Sequence, residues 1–280
     1  MERAIWKRSY REGDTFSYFL ASDLHAEDPL FDAALFAADM ALAKEAKARV
    51  YLNGDILGLI LPGDMKRYAR GSDPGDVDDK IGASVENAEK ILAPYVDMID
   101  MIGTGNHETA VLKHNSVDAT KLLIGFLNRR RDPKLHPIRH GGYTGFLRLA
   151  FDDGSHHRTS YDVFYNHGQG GSAEVTSGII DLQRRQNIDA DLVWLGHKHK
   201  RISVMLAPAI GLNAAGNLYE REKRGVITGT YLRNLDETDA GKDGYRLSYA
   251  EERMRVPQGR GGAMLRLTVR RDGVVARVET

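Results

Sequence analysis

The chain has no cysteine in its 280 residues, which excludes disulfide staples, thiol nucleophiles and thiolate metal sites together. Any metal must be held by His, Asp, Asn or Glu. Net charge is also missing: 39 Lys and Arg balance 39 Asp and Glu, so global charge offers no argument for nucleic acid, though it leaves room for local basic patches. No apolar run reaches transmembrane length, and the start, Met1-Glu2-Arg3-Ala4-Ile5-Trp6-Lys7-Arg8, lacks the apolar stretch of a signal peptide. No membrane association and a cytoplasmic location are therefore expected. Internal repeats and low-complexity segments are absent. What is present, 42% hydrophobic and 28% charged residues, is the composition of a globular protein with a full core.

Apolar patterning sets the expected elements. Residues 1–14 read as a basic surface arm. Thr15 to Ser22 is a buried strand, and Leu30 to Ala48 a helix with Asp28 as its N-cap and Pro29 at its first position. Arg49 to Leu52 is a second strand, completing a βαβ unit that favours a parallel sheet. Leu59 to Ser84 is a Gly-, Asp- and Pro-rich loop, Val85 to Tyr95 a helix, Val96 to Ile102 a third strand and Thr109 to Arg131 one long helix. Tyr143 to Phe151 and Arg158 to Asn166 form a hairpin around Asp152-Asp153-Gly154. Gly171 to Gln186 is a helix; Ala190 to Leu195, Ile202 to Ala207, Val226 to Leu232 and Ala263 to Val269 are strands. The sum is one layered α/β domain over residues 1–280, helices outside and two sheets inside.

Polar residues then recur at strand ends: Asp23-Leu24-His25, Asn53-Gly54-Asp55, Gly105-Asn106-His107-Glu108, Asn166-His167-Gly168 and Gly196-His197-Lys198-His199. Open α/β sheets place ligands beyond the carboxyl ends of their strands. Asp23 with His25, and His197 with His199, are two apart, so each pair can face one side. A single Asp-x-His is common; five such motifs in this order point to imidazole and carboxylate ligands for zinc, manganese or iron. For Asp23, Asp55, Asn106 and His197 the alternative role is turn capping, and for His167 a satisfied turn histidine. His114, His136, His140, His156 and His157 fit no motif and are expected at the surface.

The ordered set, over residues of about 15–215, resembles the calcineurin-like metallophosphoesterases. That resemblance implies a four-layer α-β-β-α sandwich of two mixed sheets, with strands in 216–280 completing or extending the second sheet. It implies two divalent metal ions, manganese foremost, with iron, zinc or nickel as alternatives. Asp23, His25 and His199 would be ligands of one ion, Asn106, His167 and His197 of the other, and Asp55 the bridge. His107 is similar to the family's non-ligand catalytic histidine. Glu108 stands where an acidic residue steadies it, or else caps the helix expected from Thr109.

Substrate is narrowed by what the motifs omit. Gly54-Asp55-Ile56 and Glu108-Thr109 lack the arginines with which serine/threonine protein phosphatases grip phosphate. The set is closer to repair nucleases and bacterial phosphodiesterases, so a phosphodiester substrate is expected, DNA leading. Phosphomonoesters or small nucleotides are the alternative, and a non-catalytic scaffold a third. A DNA approach surface could come from Arg129, Arg130, Arg131, Lys134, Arg139, Arg253, Arg255, Arg260, Arg270 and Arg271, with Tyr143 or Tyr161 for stacking; the alternative is dispersed surface arginines balanced by the acids of the 72–79 loop, with the triplet a solvated helix end.

Overall fold

The computed structural model describes residues 1–61, 78–155, 157–170, 178–212, 215–234 and 258–280. Its strands are β1 (Glu2–Ser9), β2 (Thr15–Ala21), β3 (Arg49–Leu52), β4 (Ile99–Gly103), β5 (Arg139–Gly142), β6 (Thr144–Asp152), β7 (Arg158–Asn166), β8 (Leu192–Leu195), β9 (Ile202–Leu212), β10 (Leu218–Ile227), β11 (Ala263–Arg270) and β12 (Gly273–Glu279). The helices are α1 (Ala33–Glu45), α2 (Lys80–Leu92), α3 (Asn106–Asn115), α4 (Ala119–Arg130) and the short α5 (Ile179–Gln183). The strands form two mixed six-stranded sheets, ordered β12-β11-β2-β3-β4-β5 and β1-β6-β7-β8-β10-β9.

Alternation along the strands explains the layering. In β2, Phe19 and Ala21 face α1, α2 and α4, packing with Phe36, Met40, Val85, Ala88, Leu123 and Leu127. Tyr18 and Leu20 face the other sheet and meet Leu147, Leu149, Val163, Tyr165 and Trp194. Beyond that sheet, Phe164, Val193 and Leu195 close over Leu182 of α5. The expected α-β-β-α order is the observed one. Each helix supplies a matching stripe; in α1, Phe36, Met40 and Ala43 recur at helical spacing.

Several element boundaries differ from expectation. The supposed arm is β1, paired parallel with β6 from Glu2↔Gly145 to Ser9↔Asp152, because Ala4 and Trp6 alternate inward while Ile5 faces out. α1 is capped by Asp32, whose carboxylate accepts from Leu35 N at 3.0 Å; Asp28 instead closes the turn through Pro29 by accepting from Leu30 N. The single helix expected over 109–131 is two, broken where Ser116 turns left-handed (φ 58°) and Asp118 caps α4. α2 begins at Lys80, inside the stretch read as loop, and the strand expected from Val96 starts at Ile99. Of the loop read over 59–84, residues 62–77 lie outside the described residues, as do 171–177 of the helix read over 171–186, Arg253, Arg255 and His156. β10 joins the second sheet, while β11 and β12 extend the first beside β2. Among the described residues, no helix is long and apolar enough to cross a membrane.

Candidate metal centre

Five strands end at one edge and deliver the five motifs there. β2, β3 and β4 run parallel and release Asp23 and His25, Asp55, and Asn106 to Glu108. In the other sheet, parallel β7 and β8 release His167 and the pair His197 and His199. The loops after β2 and β3 continue as a ladder, Asp23 N to Gly54 O at 3.0 Å and His25 N to Asp55 O at 3.1 Å. The sheets are tied across the seam: His197 N donates to both Asp23 oxygens (3.1 and 2.9 Å), and Asn53 Nδ2 to Asn166 O (3.1 Å).

The backbone carrying these residues is unusual. Asp23 (φ 56°), His25 (49°), Asp55 (49°), His197 (65°) and His199 (52°) are all left-handed, leaving only Lys47, Leu59 and Ser116 as other non-glycine cases among the described residues. Left-handed backbone costs energy for residues with a Cβ and gathers where function overrides it. The i, i+2 pairs thus converge by left-handed turns, rather than by extended strand ends as the spacing suggested. Leu24 and Lys198 between them are buried, Lys198 Nζ donating to Gln169 O at 2.7 Å. Gly54 completes the packing: at φ 77°, a Cβ there would lie 2.5 Å from Gly105 N.

Ligand-type atoms fall into three groups, each within 4.8 Å: Asp23, His25 and His199; Asp55, His167 and His197; and His25, Asp55 and His107. His25 and Asp55 each belong to two, so the three groups are continuous. His25 Nε2 and His199 Nε2 stand 3.3 Å apart, and His167 Nε2 lies 3.1 Å from Asp55 Oδ2 without hydrogen-bond alignment. His167 Nδ1 lies 2.7 Å from Asn53 O, which can only accept, so Nδ1 carries a proton and Nε2 is the ring atom turned to the carboxylate. Buried Asn106 Oδ1 also has no partner. Buried polar atoms without partners beside such donors are what divalent cations satisfy, so these residues could hold metal ions.

Electrostatics follow from the crowding. Burial lowers the His25 imidazolium to about 3, with His107 adding to the effect. Burial opposes charge on His167 too, but Asp55 and Asp23 outweigh it and raise the ring to about 10. The same histidines hold Asp55 well below the usual carboxylate range against its burial. Burial and the charge of Asp55 push Glu108 up to about 7.

Glu108 does not touch the His107 ring. Its Oε2 accepts from Gly105 N (2.8 Å) and Asp55 N (3.1 Å) and its Oε1 from Leu57 N (3.0 Å), so it braces the Asp55 loop against the start of α3. Of the two expected roles, steadying His107 or capping a helix, the second is the observed one: the buried carboxylate takes one amide at the start of α3, Gly105 N, and two in the Asp55 loop. His107 N donates to Asp55 Oδ1 at 3.0 Å, while its Nδ1 donates to Gly58 O. Glu27, which no motif singled out, accepts from Gly58 N and Leu59 N; only its place two residues past His25 could have drawn notice.

Several of the residues expected to form a DNA approach are engaged elsewhere in the fold. Arg131 is buried, donating to Asp100, which Arg49 also binds, and Arg130 pairs with Glu89. Asp100 lies at the start of β4, so the triplet is at the opposite sheet edge from the site. Arg260 bonds Asp32, and Arg271 pairs with Glu12. Tyr161 is buried between the sheets, and the Tyr143 ring packs edge-on to His167 at 5.5 Å. Of the histidines expected at the surface, His140 is half-buried, 3.0 Å from Thr104 Oγ1, and His157 contacts Tyr10 OH at 2.7 Å.

Two mixed six-stranded sheets between helices, with these motifs at one edge, are the layered arrangement expected from the sequence. No family model and no curated protein matches the sequence. Among solved structures, a conserved uncharacterized protein of Streptococcus pneumoniae, described as a predicted phosphoesterase, is 13% identical with a TM-score of 0.29, covering 95% of this chain and 99% of that one. Vps29 of Entamoeba histolytica, complexed with zinc, is 9% identical with a TM-score of 0.34 over 94% and 98%. GAP50, the anchor in the inner membrane complex of Plasmodium, is 9% identical with a TM-score of 0.38 over 94% and 84%. Likeness this slight carries nothing about activity.

Proposed function

We propose that the chain is a metal-dependent phosphoric ester hydrolase acting on phosphodiesters. The observation that carries this reading is the overlap of three donor clusters: His25 links Asp23 and His199 to Asp55, and Asp55 links them to His167 and His197. Asp23, His25 and His199 would hold one divalent cation and Asn106, His167 and His197 the second, with Asp55 between. Such a pair of ions, manganese foremost, would polarise the phosphoryl group and lower the pKa of an attacking water. The chain's own residues do the rest. Asn53 O holds His167 in the tautomer that leaves Nε2 free, and Gly58 O does the same for His107. His107 Nε2, 3.9 Å from Asp55 Oδ2, faces the site and would give its proton to the leaving oxygen as the ester bond breaks. Asn106 is a neutral donor, keeping its half of the site less negative for phosphate.

Small diesters or nucleotides are the second reading of the substrate, favoured over DNA by the arginine triplet lying at the far sheet edge. A panel of single-stranded DNA, duplex DNA, cyclic nucleotides and phosphomonoesters, each with manganese, tests both. Turnover of diesters over monoesters is expected; hydrolysis of none would sink the proposal.

A further inference from the structure

We infer that Glu27 is a positioning residue for His107, an inference that rests on the hydrolase function proposed above. The His107 Nδ1 proton goes to the carbonyl of Gly58, and the other end of that same peptide group is Leu59 N–H. Glu27 Oε1 accepts from Leu59 N at 2.7 Å, and its Oε2 accepts from Gly58 N at 2.9 Å. A carboxylate on one side of the peptide and an imidazole on the other form a continuous chain of hydrogen bonds. An anionic acceptor polarises the peptide and strengthens its carbonyl as a partner for Nδ1–H.

The peptide needs holding. Leu59 is left-handed (φ 44°), a conformation a leucine adopts only when its surroundings impose it. Glu108 cannot supply that constraint, since its oxygens are taken by Gly105, Asp55 and Leu57. The two glutamates divide the loop: Glu108 fixes the bridging aspartate, and Glu27 fixes the carbonyl that aims His107. With Nδ1–H committed, Nε2 is the atom presented to the site in either protonation state. When its proton passes to the ester oxygen and the P–O bond breaks onto that oxygen, the neutral ring keeps Nδ1–H on Gly58.

The test compares the full chain, E27Q and E27A, loaded with zinc and assayed for metal content. Two diesters serve: one releasing nitrophenolate, which needs no proton, and a dinucleotide releasing a ribose alkoxide, which does. E27A is expected to keep its zinc, to lose about tenfold or more on the dinucleotide and under about threefold on the nitrophenyl ester, and E27Q to fall between E27A and the wild type, since its neutral amide can accept from only one of the two N–H groups. In nitrogen-15 histidine spectra, assigned with H107A, His107 is expected as the Nδ1–H tautomer in the wild type and as a mixture in E27A. An unchanged tautomer in E27A, or equal loss on both esters, overturns the inference; if E27A does not fold, a partial mixture of tautomers is expected in E27Q, and a wild-type tautomer there overturns it. If the wild type hydrolyses neither ester, the proposed function falls, and the tautomer comparison still decides the role of Glu27.

Discussion

His25 and His199 point their Nε2 atoms at each other across 3.3 Å, their rings inclined at 61°. Neutral imidazoles hold that contact by sharing one proton or by turning both lone pairs to a cation, and burial keeps His25 from protonating.

Metal removal is therefore expected to end activity and loosen the fold. Chelation should abolish hydrolysis of a chromogenic phosphodiester and lower the melting temperature by about 5 °C or more, both restored by manganese or zinc. Hydrolysis indifferent to the chelator would rule out the two-metal centre.

His107 and the ligands should separate in their responses. His107→Ala is expected to lower turnover about a hundredfold while bound metal stays constant. Parallel loss of metal, measured by elemental analysis of the purified variant, would make His107 a ligand.

Glu108 should behave as a structural group. Glu108→Ala leaves the amides of Asp55, Leu57 and Gly105 without their acceptor, a loss of about 3 kcal/mol or more. Urea unfolding checks this. A variant as stable as the wild type but slow in turnover would return Glu108 to catalysis.

His140 carries a pH dependence of stability. Burial outweighs Asp118 and lowers the ring below its ordinary 6.5. The folded state then resists a proton that the unfolded chain accepts, so stability is full above 6.5 and declines as pH falls below it. The drop in melting temperature from about pH 7.5 to about pH 5.5 should be smaller in His140→Gln than in the wild type. An equal drop in both would locate the effect elsewhere.

The layers were legible because the central strands are short continuous apolar runs and the motifs fall at their ends; β7 was bounded to the residue. β1 was lost because its charged outward residues mask Ala4 and Trp6. The break at Ser116 was lost because nothing local to it forbids a helix. In the site, residue types in order disclosed the donors, but the left-handed turns that aim them are set by contacts between loops far apart in sequence. Glu27 and the carbonyls of Asn53 and Gly58 stayed hidden for a related reason: backbone acceptors have no letter in a sequence.

The seam between the sheets gives the centre a mechanical character. Asp23, His25, Asp55 and Asn106 ride on one sheet and His167, His197 and His199 on the other, so neither sheet carries a complete set of donors. A cation seated there would act as a rivet through two plates: sliding one sheet by a single residue would break every coordination sphere at once, and seating the ion would lock the plates against such shear.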